Sequence, residues 1–325
     1  MSDWPITFGD VRDARDRLRP HLDPTPLRSY PVLDDTVGDG IHVLVKHENL
    51  QPTGAFKVRN GLAALTSLAP DRARGGVVAA TRGNHGLGLA WAGRRLGVPV
   101  TVCVPRGNNP EKNAAIRGLG ARLVEEGRDY DECAALTERL VREGGLHLVH
   151  STNDPAVVAG AGTVALEMLE ERSDLEALVF AVGGGSQAVG GLTVVRELRP
   201  GLPVYAVQAS GAAAIHDAWH RGEPVSRPSA DTFADGLATR NTYPFTFGAL
   251  RDGLAGFVTV TDAAIAEAMR FVLASTHTLV EGAGAAGLAG LVALRSELAG
   301  KTVGIVLSGA NIDMETLRRV LAKEL

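Results

Sequence analysis

The sequence predicts an α/β fold in which mostly parallel, twisted sheets are flanked by helices. Short runs of β-branched residues alternate with longer helical stretches along the 325 residues, the order that parallel strands and crossover helices produce. With 45% hydrophobic residues, the chain is long enough for two compact units or one large unit to bury a core. Its 39 glycines are about 12% of the chain, against a usual ~7%, so many positions require a tight turn or a close backbone approach.

Runs of apolar and β-branched residues predict strands at 41–46, 76–80, 98–104, 121–125, 146–150, 177–182, 202–208, 257–260 and 302–307. Two helices are fixed by their end signals, one ending at Gly97 and one beginning after the favourable N-cap Thr261. Residues 77–152 hold four strand–helix units. We therefore predict a small substrate domain at 77–152, inserted into a large cofactor domain made of 1–76 and 153–325.

Composition and charge exclude several classes of protein. The 33 basic and 37 acidic side chains give a net charge of −4, which does not favour nucleic-acid binding. No run approaches the ~18 apolar residues of a membrane span, and the N-terminus alternates in charge rather than resembling a signal peptide. Cys103 and Cys133 are too few for a disulfide framework. We expect a cytoplasmic protein without membrane or nucleic-acid partners.

The first candidate for chemistry is Lys57. Thr53 and Gly54 resemble a helix entry, which places Lys57 in the first turn. There the positive end of the helix dipole disfavours an ammonium, and Phe56 can exclude water, so the amine would lose its proton more easily. Such a lysine can act as a Schiff-base nucleophile, although a solvated surface lysine is the alternative.

A polar turn forms the second candidate. Thr81, Arg82, Gly83, Asn84 and His85 lie between a predicted strand and a predicted helix. Backbone N–H groups and the Thr81 hydroxyl would converge above the helix N-terminus, where a carboxylate or phosphate binds well. The alternative is an ordinary turn in which Asn84 caps the helix.

A glycine-rich bend forms the third candidate. Three adjacent residues without a Cβ, followed by a helix start, let several amides converge on a phosphate. The residues are Gly183, Gly184, Gly185, Ser186 and Gln187.

The same bend also matches a loose dinucleotide fingerprint, Gly183-x-Gly185-x-x-Ala188. That fingerprint requires an acidic residue about 20 positions later to hold the ribose. The next strand ends in Gln208 instead, so a dinucleotide-binding oxidoreductase is the less favoured alternative.

The last apolar strand delivers Ser308, whose hydroxyl can hydrogen-bond a ring nitrogen but supplies no negative charge. His216 and His220 are spaced i, i+4 on a predicted helix, but no third ligand accompanies them. The aromatic stretch at 243–247 is more typical of packing or of a subunit contact. We predict no metal site.

Taken together, eight segments resemble the serine/threonine dehydratase and serine racemase family, pyridoxal-phosphate enzymes of the tryptophan-synthase β type (fold type II). The resemblance covers nearly the whole chain, in order and in spacing. The segments are TPL at 25–27, ENLQPTGAFKVRNG at 48–61, TRGNHG at 81–86, NDPAVVAGAGTVALE at 153–167, GGGSQ at 183–187, ADGLA at 234–238, VEGAGA at 280–285 and SGANID at 308–313.

The resemblance implies a role for each candidate residue. Lys57 would hold the aldehyde of pyridoxal 5′-phosphate and then move the substrate α-proton. Phe56 would stack on the ring, Asn84 would bind its 3-oxygen, Glu281 would lie near it and Ser308 would meet the ring nitrogen. The amides of Gly183, Gly184, Gly185, Ser186 and Gln187 would bind the phosphate, and Thr81 with the His85 amide would bind the substrate carboxylate.

The resemblance further implies a homodimer that removes water and ammonia from a β-hydroxy amino acid, by default L-threonine or L-serine, to give 2-oxobutyrate or pyruvate. Alternative substrates are 3-hydroxyaspartate, phenylserine or a hydroxyectoine-derived compound. Amino-acid racemisation is the alternative reaction.

Three departures from the family pattern refine these expectations. Racemase members have a serine where this chain has Arg82, and a permanently charged guanidinium is a poor proton relay but suits a second carboxylate. Metal-dependent members have a glutamate where this chain has Gln208, which disfavours a Mg²⁺ or Ca²⁺ site. The chain stops soon after residue 313, so we expect no C-terminal regulatory domain.

Overall fold

The computed structural model describes residues 4–128 and 130–325. The strands are β1 (Leu27–Ser29), β2 (His42–Lys46), β3 (Val77–Ala80), β4 (Val100–Val104), β5 (Arg122–Glu125), β6 (His147–Leu148), β7 (Ala177–Ala181), β8 (Val204–Ala209), β9 (Gly256–Val260) and β10 (Thr302–Val306).

The helices are α1 (Phe8–Leu18), α2 (Pro31–Val37), α3 (Lys57–Ser67), α4 (Pro70–Gly75), α5 (Asn84–Leu96), α6 (Pro110–Gly118), α7 (Tyr130–Gly144), α8 (Pro155–Glu171), α9 (Ser186–Leu198), α10 (Ala214–Arg221), α11 (Pro244–Gly253), α12 (Asp262–Thr276), α13 (Gly282–Ala293) and α14 (Met314–Leu321). The α/β prediction is confirmed. Within the described ranges, no helix combines the length and the apolar character that a membrane crossing needs.

Every predicted strand is present, with its ends within two residues of the prediction. Strand β1 was not predicted; it has three residues and pairs antiparallel with β2 at the sheet edge. Its residues, Leu27 to Ser29, show no run of alternating or apolar residues, so no local signal marks it. Both predicted helix ends are confirmed: Gly97 ends α5 in the left-handed conformation, and the Thr261 side chain accepts a hydrogen bond from the Ala264 amide.

The strands form two sheets. One has six strands in the order β1-β2-β10-β7-β8-β9, with all neighbours parallel except β1 and β2. The other has four parallel strands in the order β5-β4-β3-β6, all of which lie within residues 77–148. The smaller sheet thus falls inside the predicted small domain, while the division into two domains stays a prediction.

Helices α3 and α5 touch through their backbones. A Cβ added at Gly61 would lie 2.5 Å from the Gly88 carbonyl oxygen, and one added at Gly88 would lie 2.3 Å from the Lys57 carbonyl oxygen. No side chain fits at either position, because contacts below about 3 Å are repulsive. The two glycines therefore seat α5 directly on the first turn of α3.

A buried network of charges anchors the other side of α3. The Arg59 guanidinium donates to both Glu48 and Glu167, and Lys46 Nζ lies 2.6 Å from a Glu167 oxygen. Burial alone would raise the pKa of Glu48, but Arg59 holds that pKa below its ordinary value. These side chains tie β2, α3 and α8 together, and removing one partner would leave an uncompensated buried charge.

Candidate active site

A cavity of about 320 Å³ opens where strands of both sheets end. Its walls include residues that follow β3, β7 and β10, the end of a parallel sheet at which α/β proteins bind their ligands. Every residue that the sequence analysis proposed for the site lines this cavity: Phe56, Lys57, Thr81, Arg82, Asn84, His85, Gly183, Gly184, Gly185, Ser186, Gln187, Glu281 and Ser308. The chain thus brings together segments that are far apart in sequence.

Lys57 is the first residue of α3, and its amine lies inside the cavity. Its Nζ donates to Ser186 Oγ at 3.3 Å and to the Ser151 carbonyl at 3.4 Å, and lies 4.8 Å from the centre of the Phe56 ring. Burial lowers the pKa of Lys57 to about 8, because the ammonium form loses its hydration. The alternative of a fully solvated surface lysine is wrong.

Lys112 is a second lysine in the same cavity, but it has the opposite character. Its Nζ lies 2.9 Å from an Asp235 carboxylate oxygen. Although burial opposes the charge, the carboxylates of Glu281 and Asp235 raise the pKa of Lys112 above its ordinary value. Lys112 stays an ammonium at neutral pH, so Lys57 is the better nucleophile of the two.

The glycine-rich bend runs from the end of β7 to the start of α9. A Cβ at Gly183 would lie 2.2 Å from the Gly236 carbonyl oxygen, and one at Gly184 would lie 2.0 Å from Thr152 Oγ1. Gly185 adopts a φ of +95°, which L side chains avoid. The bend therefore requires glycine at all three positions.

The amides of this bend are available to a ligand. Within the described residues, the N–H groups of Gly183, Gly184 and Gly185 donate no hydrogen bond, and Gln187 Nε2 is buried without a partner. Two of the carbonyls already accept hydrogen bonds, because the hydroxyl of Thr239 donates to Gly183 and that of Thr246 donates to Gly184. Unpartnered donors at the start of a helix match the phosphate oxygens of a cofactor.

The polar turn after β3 is built differently from an ordinary capped turn. Gly83 is the N-cap of α5, so the alternative in which Asn84 caps the helix is wrong. The Thr81 hydroxyl accepts a hydrogen bond from the Gly83 amide at 2.9 Å, and Asn84 Nδ2 donates to Glu281 Oε1 at 2.5 Å. His85 is buried, and burial together with nearby Lys57 lowers its pKa to about 3, so its ring is neutral.

Glu281 and Ser308 close the far wall. Glu281 is the N-cap of α13, and burial raises the pKa of its carboxyl to about 7 in spite of Lys112 and Asn84. Ser308 is buried two residues after β10, and its hydroxyl lies 3.4 Å from the Ala283 carbonyl. The Ser308 position therefore presents an uncharged hydroxyl to the cavity, rather than the negative charge of a carboxylate.

The sequence analysis assigned no role in the site to several other cavity residues, although Asp235 belongs to the ADGLA segment of the family resemblance. They are Lys112, Ser151, Thr152, Asp235, Thr239 and Tyr243. Tyr243 belongs to the aromatic stretch that the sequence analysis assigned to packing, yet it lines the cavity. A fold-level alignment of the loops could have found these residues, but periodicity and motif spacing could not.

Gln208 lies fully buried in β8, where its side-chain oxygen accepts a hydrogen bond from the His216 amide. His216 and His220 stack edge to face on α10, with ring centres 4.4 Å apart. In the part of the chain that the structure describes, no group of three or more His, Cys, Asp or Glu side chains is placed to hold a metal ion. Independence from cations stays a prediction.

Comparison with known proteins agrees with this geometry. The family model described as pyridoxal-phosphate dependent enzyme matches residues 18–309. An L-threonine ammonia-lyase of Geobacter sulfurreducens is 39% identical over 97% of this chain and 78% of its own. An L-threo-3-hydroxyaspartate ammonia-lyase of Saccharomyces cerevisiae is 33% identical over 95% of this chain and 94% of its own. The structure of maize serine racemase matches with a TM-score of 0.92 and 27% identity, over 99% of this chain and 98% of that one.

The fold and the cavity define an enzyme that works through a phosphorylated aldehyde cofactor. The chain belongs to the family of pyridoxal-phosphate dependent enzymes, and its cofactor is pyridoxal 5′-phosphate. The predicted fold type II is confirmed, and the relatives place the chain among the lyases of this family. The alternative prediction, a dinucleotide-binding oxidoreductase, is therefore wrong.

Proposed function

We propose that this protein is an ammonia-lyase that removes water and ammonia from a β-hydroxy amino acid, with L-threonine and L-serine as default substrates. One observation carries the proposal: the Lys57 amine, with its lowered pKa, shares a cavity with the unpartnered amides at 183–185. A lyase of this kind needs a reactive amine at the aldehyde of pyridoxal phosphate and a binding site for the phosphate at the other end of the cofactor. We call the amides at 183–187 the phosphate seat. The names of the relatives from Geobacter sulfurreducens and Saccharomyces cerevisiae agree with the reaction.

The residues fit the cofactor, each at a stated group. The amides at 183–187 would bind the phosphate, Phe56 would pack against the ring, Asn84 would bind the ring oxygen and Ser308 would face the ring nitrogen. Lys57 would hold the aldehyde before the substrate replaces it. When bound, pyridoxal phosphate supplies an electron-withdrawing ring that acidifies the α-hydrogen of an attached amino acid.

Lys57 would then act as the base at the α-carbon. Because its pKa lies near 8, a useful share of the amine is neutral at pH 7 to 8 and can accept the α-proton. The α-proton that Lys57 takes up balances the proton that the β-hydroxyl needs to leave as water. Lys57 would then take back the aldehyde, and the released enamine would add water to give a keto acid and ammonia. Phe56 and the buried walls keep bulk water from the amine during this step.

The substrate carboxylate would bind at the start of α5. Amides at a helix N-terminus attract anions, and the His85 amide lies in that first turn beside Thr81. Because the His85 ring is neutral and donates towards the Val149 carbonyl, it contributes no competing charge there. This seat would orient the α-hydrogen of the substrate towards Lys57.

Racemisation is not part of the proposed function. Inverting the α-carbon needs a second acid or base on the face opposite Lys57, and Arg82 stands where racemase members have a serine. An arginine does not release its proton at physiological pH. We expect D-serine to form from L-serine far more slowly than pyruvate does, and comparable rates would contradict this point.

A β-hydroxy amino acid with a second carboxylate, such as 3-hydroxyaspartate, is the second candidate substrate. Arg82 is exposed at the cavity wall, and it makes no ion pair or hydrogen bond with the described residues. Among the other cations that line the cavity, Lys112 already has Asp235 as a partner. Arg82 therefore has the capacity to bind an additional anionic group on the substrate.

The homodimer is also part of this proposal. Leu50 is 50% exposed and Leu279 40% exposed, and the Asn49 side chain joins their segments by donating to the Leu279 carbonyl. Paired apolar side chains at a surface are typical of a contact between subunits. Light scattering should give twice the chain mass, with loss of that mass in Leu50→Asp but not in Leu198→Asp, whose exposed leucine lies on α9. A monomeric wild-type protein would overturn the proposed assembly.

The remaining sequence predictions belong to the same proposal. Cys103 and Cys133 are both buried and free, which agrees with a reducing, cytoplasmic location. A net charge of −4 agrees with the absence of a nucleic-acid partner.

A panel of β-hydroxy amino acids tests the proposed reaction. Purified protein with pyridoxal phosphate is mixed with L-threonine, L-serine, 3-hydroxyaspartate and phenylserine, and both ammonia and keto acid are measured. The expected result is equal amounts of the two products from at least one substrate. Absence of both products from the whole panel would overturn the proposed function.

A further inference from the structure

One ion pair crosses the cavity between elements of the two sheets. Lys112 lies on α6, which follows β4 of the four-stranded sheet, and Asp235 lies in a short 3-10 helix (Asp235–Leu237) between β8 and α11. Their charged atoms are 2.9 Å apart. The lysine side chain is only 9% exposed, whereas the aspartate is 43% exposed, so the pair sits at the opening of the cavity rather than in the core.

The lysine end of the pair rests on the polar turn. A Cβ at Gly83 would lie 2.7 Å from Lys112 Cδ, so the aliphatic part of the lysine packs directly on the Gly83 backbone. The same turn carries Thr81 and His85, which we have proposed as the seat of the substrate carboxylate. A shift of the lysine would therefore be transmitted to that seat.

The aspartate end rests on the glycine-rich bend. The Gly236 carbonyl packs against Gly183 so closely that a Cβ there would lie 2.2 Å from its oxygen. The Thr239 hydroxyl, two residues beyond the 3-10 helix, donates to the Gly183 carbonyl. The segment that presents Asp235 is thus fixed to the proposed phosphate seat.

A second bond crosses the same space. Asn84, the first residue of α5, donates to Glu281, and the Glu281 carboxyl also attracts Lys112. Asp235 and Glu281 therefore share one cation, with Asn84 bound to one of them. The arrangement holds the polar turn against the six-stranded side of the cavity by two links, one ionic and one polar.

We propose that Lys112 and Asp235 are positioning residues, whose ion pair holds the substrate-carboxylate seat at 81–86 in register with the phosphate seat at 183–187. The proposal rests on the proposed function for the identity of the two seats. Without the pair, the turn would move relative to the bend, and the α-carbon of the substrate would no longer face Lys57. A displacement of about 1 Å at a reacting centre can cost up to about 100-fold in rate.

A double-mutant cycle tests the proposal. Lys112→Met, Asp235→Asn and the double variant are compared with wild type for kcat, KM and amide hydrogen exchange at 81–86 in the cofactor-free protein. We expect each single variant to lower kcat/KM about 10-fold or more, through both a rise in KM and a fall in kcat, and to speed exchange at the turn. The double variant should be no worse than the more affected single variant, because both remove the same link.

An exposed ion pair provides the matched control. Arg172 and Asp174 are 2.6 Å apart on the surface and do not line the cavity. Arg172→Met and Asp174→Asn should leave KM and exchange at 81–86 unchanged, since exposed pairs contribute little. Additive effects of Lys112→Met and Asp235→Asn, or exchange at the turn as slow as in wild type, would overturn the proposal.

The readouts separate this proposal from the proposed function. Hydrogen exchange in the cofactor-free protein needs no catalysis, so the link can be confirmed even if no substrate in the panel releases ammonia. Conversely, ammonia release with unchanged exchange in the variants would leave the lyase standing and remove the role of the pair. Asp235 is partly exposed, so Asp235→Asn is expected to fold even if Lys112→Met does not.

Discussion

Lys57 Nζ and Ser186 Oγ lie 3.3 Å apart although 129 positions separate them in the chain. The first residue begins α3 and the second begins α9, so two helix N-termini face each other across one cavity. The amine is therefore placed beside a cluster of free amides rather than beside a carboxylate. An amine without an anionic partner loses its proton readily, and amides without partners bind anions.

Replacing Lys57 should abolish the reaction. Lys57→Ala removes both the anchor of the cofactor aldehyde and the proposed base, and loss of a general base alone typically costs about 10²- to 10⁴-fold. The visible absorbance of the lysine-bound cofactor should disappear as well. Borohydride treatment of wild type should fix the cofactor to the peptide containing Lys57. Lys323→Ala, at an exposed position near the C-terminus, is the control, and label on the Lys112 peptide instead would contradict the assignment.

The rate of cofactor loading should depend on pH in a specific window. With a pKa near 8, about 10% of the Lys57 amine is neutral at pH 7 and about 90% at pH 9, so the loading rate should rise over this range and then level off. A lysine in water, with a pKa near ~10.4, would show no plateau below pH 10. Stopped-flow absorbance of cofactor-free protein mixed with pyridoxal phosphate measures the profile. A rate still rising tenfold per pH unit at pH 9 would show that burial does not lower this pKa.

Adding one methyl group to the glycine-rich bend should prevent cofactor binding. In Gly184→Ala the new Cβ would lie 2.0 Å from Thr152 Oγ1, so the bend must move and its amides must separate. We expect the Kd for pyridoxal phosphate to rise at least about 10-fold, measured by fluorescence titration. Gly248→Ala is the matched control, since Gly248 lies in α11 with open space around its Cα, and its Kd should not change. Equal affinity in Gly184→Ala would remove this bend as the phosphate seat.

Arg82 should influence the choice among β-hydroxy amino acids. If it binds a second carboxylate, Arg82→Ala should lower kcat/KM for 3-hydroxyaspartate about 10-fold or more relative to L-threonine, through a rise in KM. Arg95→Ala, whose arginine lies at the far end of α5, is the control. An unchanged ratio between the two substrates would leave Arg82 without a role in selection.

Chelation should leave the activity intact. Gln208 is a neutral amide buried in β8, and its oxygen is already engaged by the His216 amide, so it offers little to a hard cation. Activity measured before and after dialysis against EDTA should agree within error. A large loss that Mg²⁺ restores would show that other oxygen ligands supply a cation site.

Much of this molecule follows from the sequence. The nine strands, the α5 and α12 boundaries and the shared location of Lys57 and the bend at 183–185 all rest on local signals: β-branched runs, caps and adjacent glycines. Apolar β-branched runs indicate buried strands, and adjacent glycines at a helix start indicate a tight bend, so few other structures compete with these predictions. For these segments, local preference and the final fold agree.

The contacts that cross the cavity did not follow. Lys112 is an unremarkable lysine in a helix, and its partner Asp235 is 123 positions away, so neither residue signals the pair. The hydrogen bonds from the Thr239 and Thr246 hydroxyls to the Gly183 and Gly184 carbonyls could not be predicted either, because threonines are common and carry no signal for such a contact. Such contacts depend on how the two sheets are placed relative to each other. Hydrophobic periodicity and motif spacing carry no information about that placement.

The seating of α5 on α3 has a consequence for anyone who would redesign this enzyme. Gly61 and Gly88 lie outside the cavity lining, yet their lack of a side chain lets the helix that begins at Asn84 pack directly against the helix that begins at Lys57. The side chains that face the substrate can be changed to alter specificity, but Gly61 and Gly88 must be kept. A library that varies Gly61 or Gly88 would therefore lose active variants, although neither residue lines the cavity.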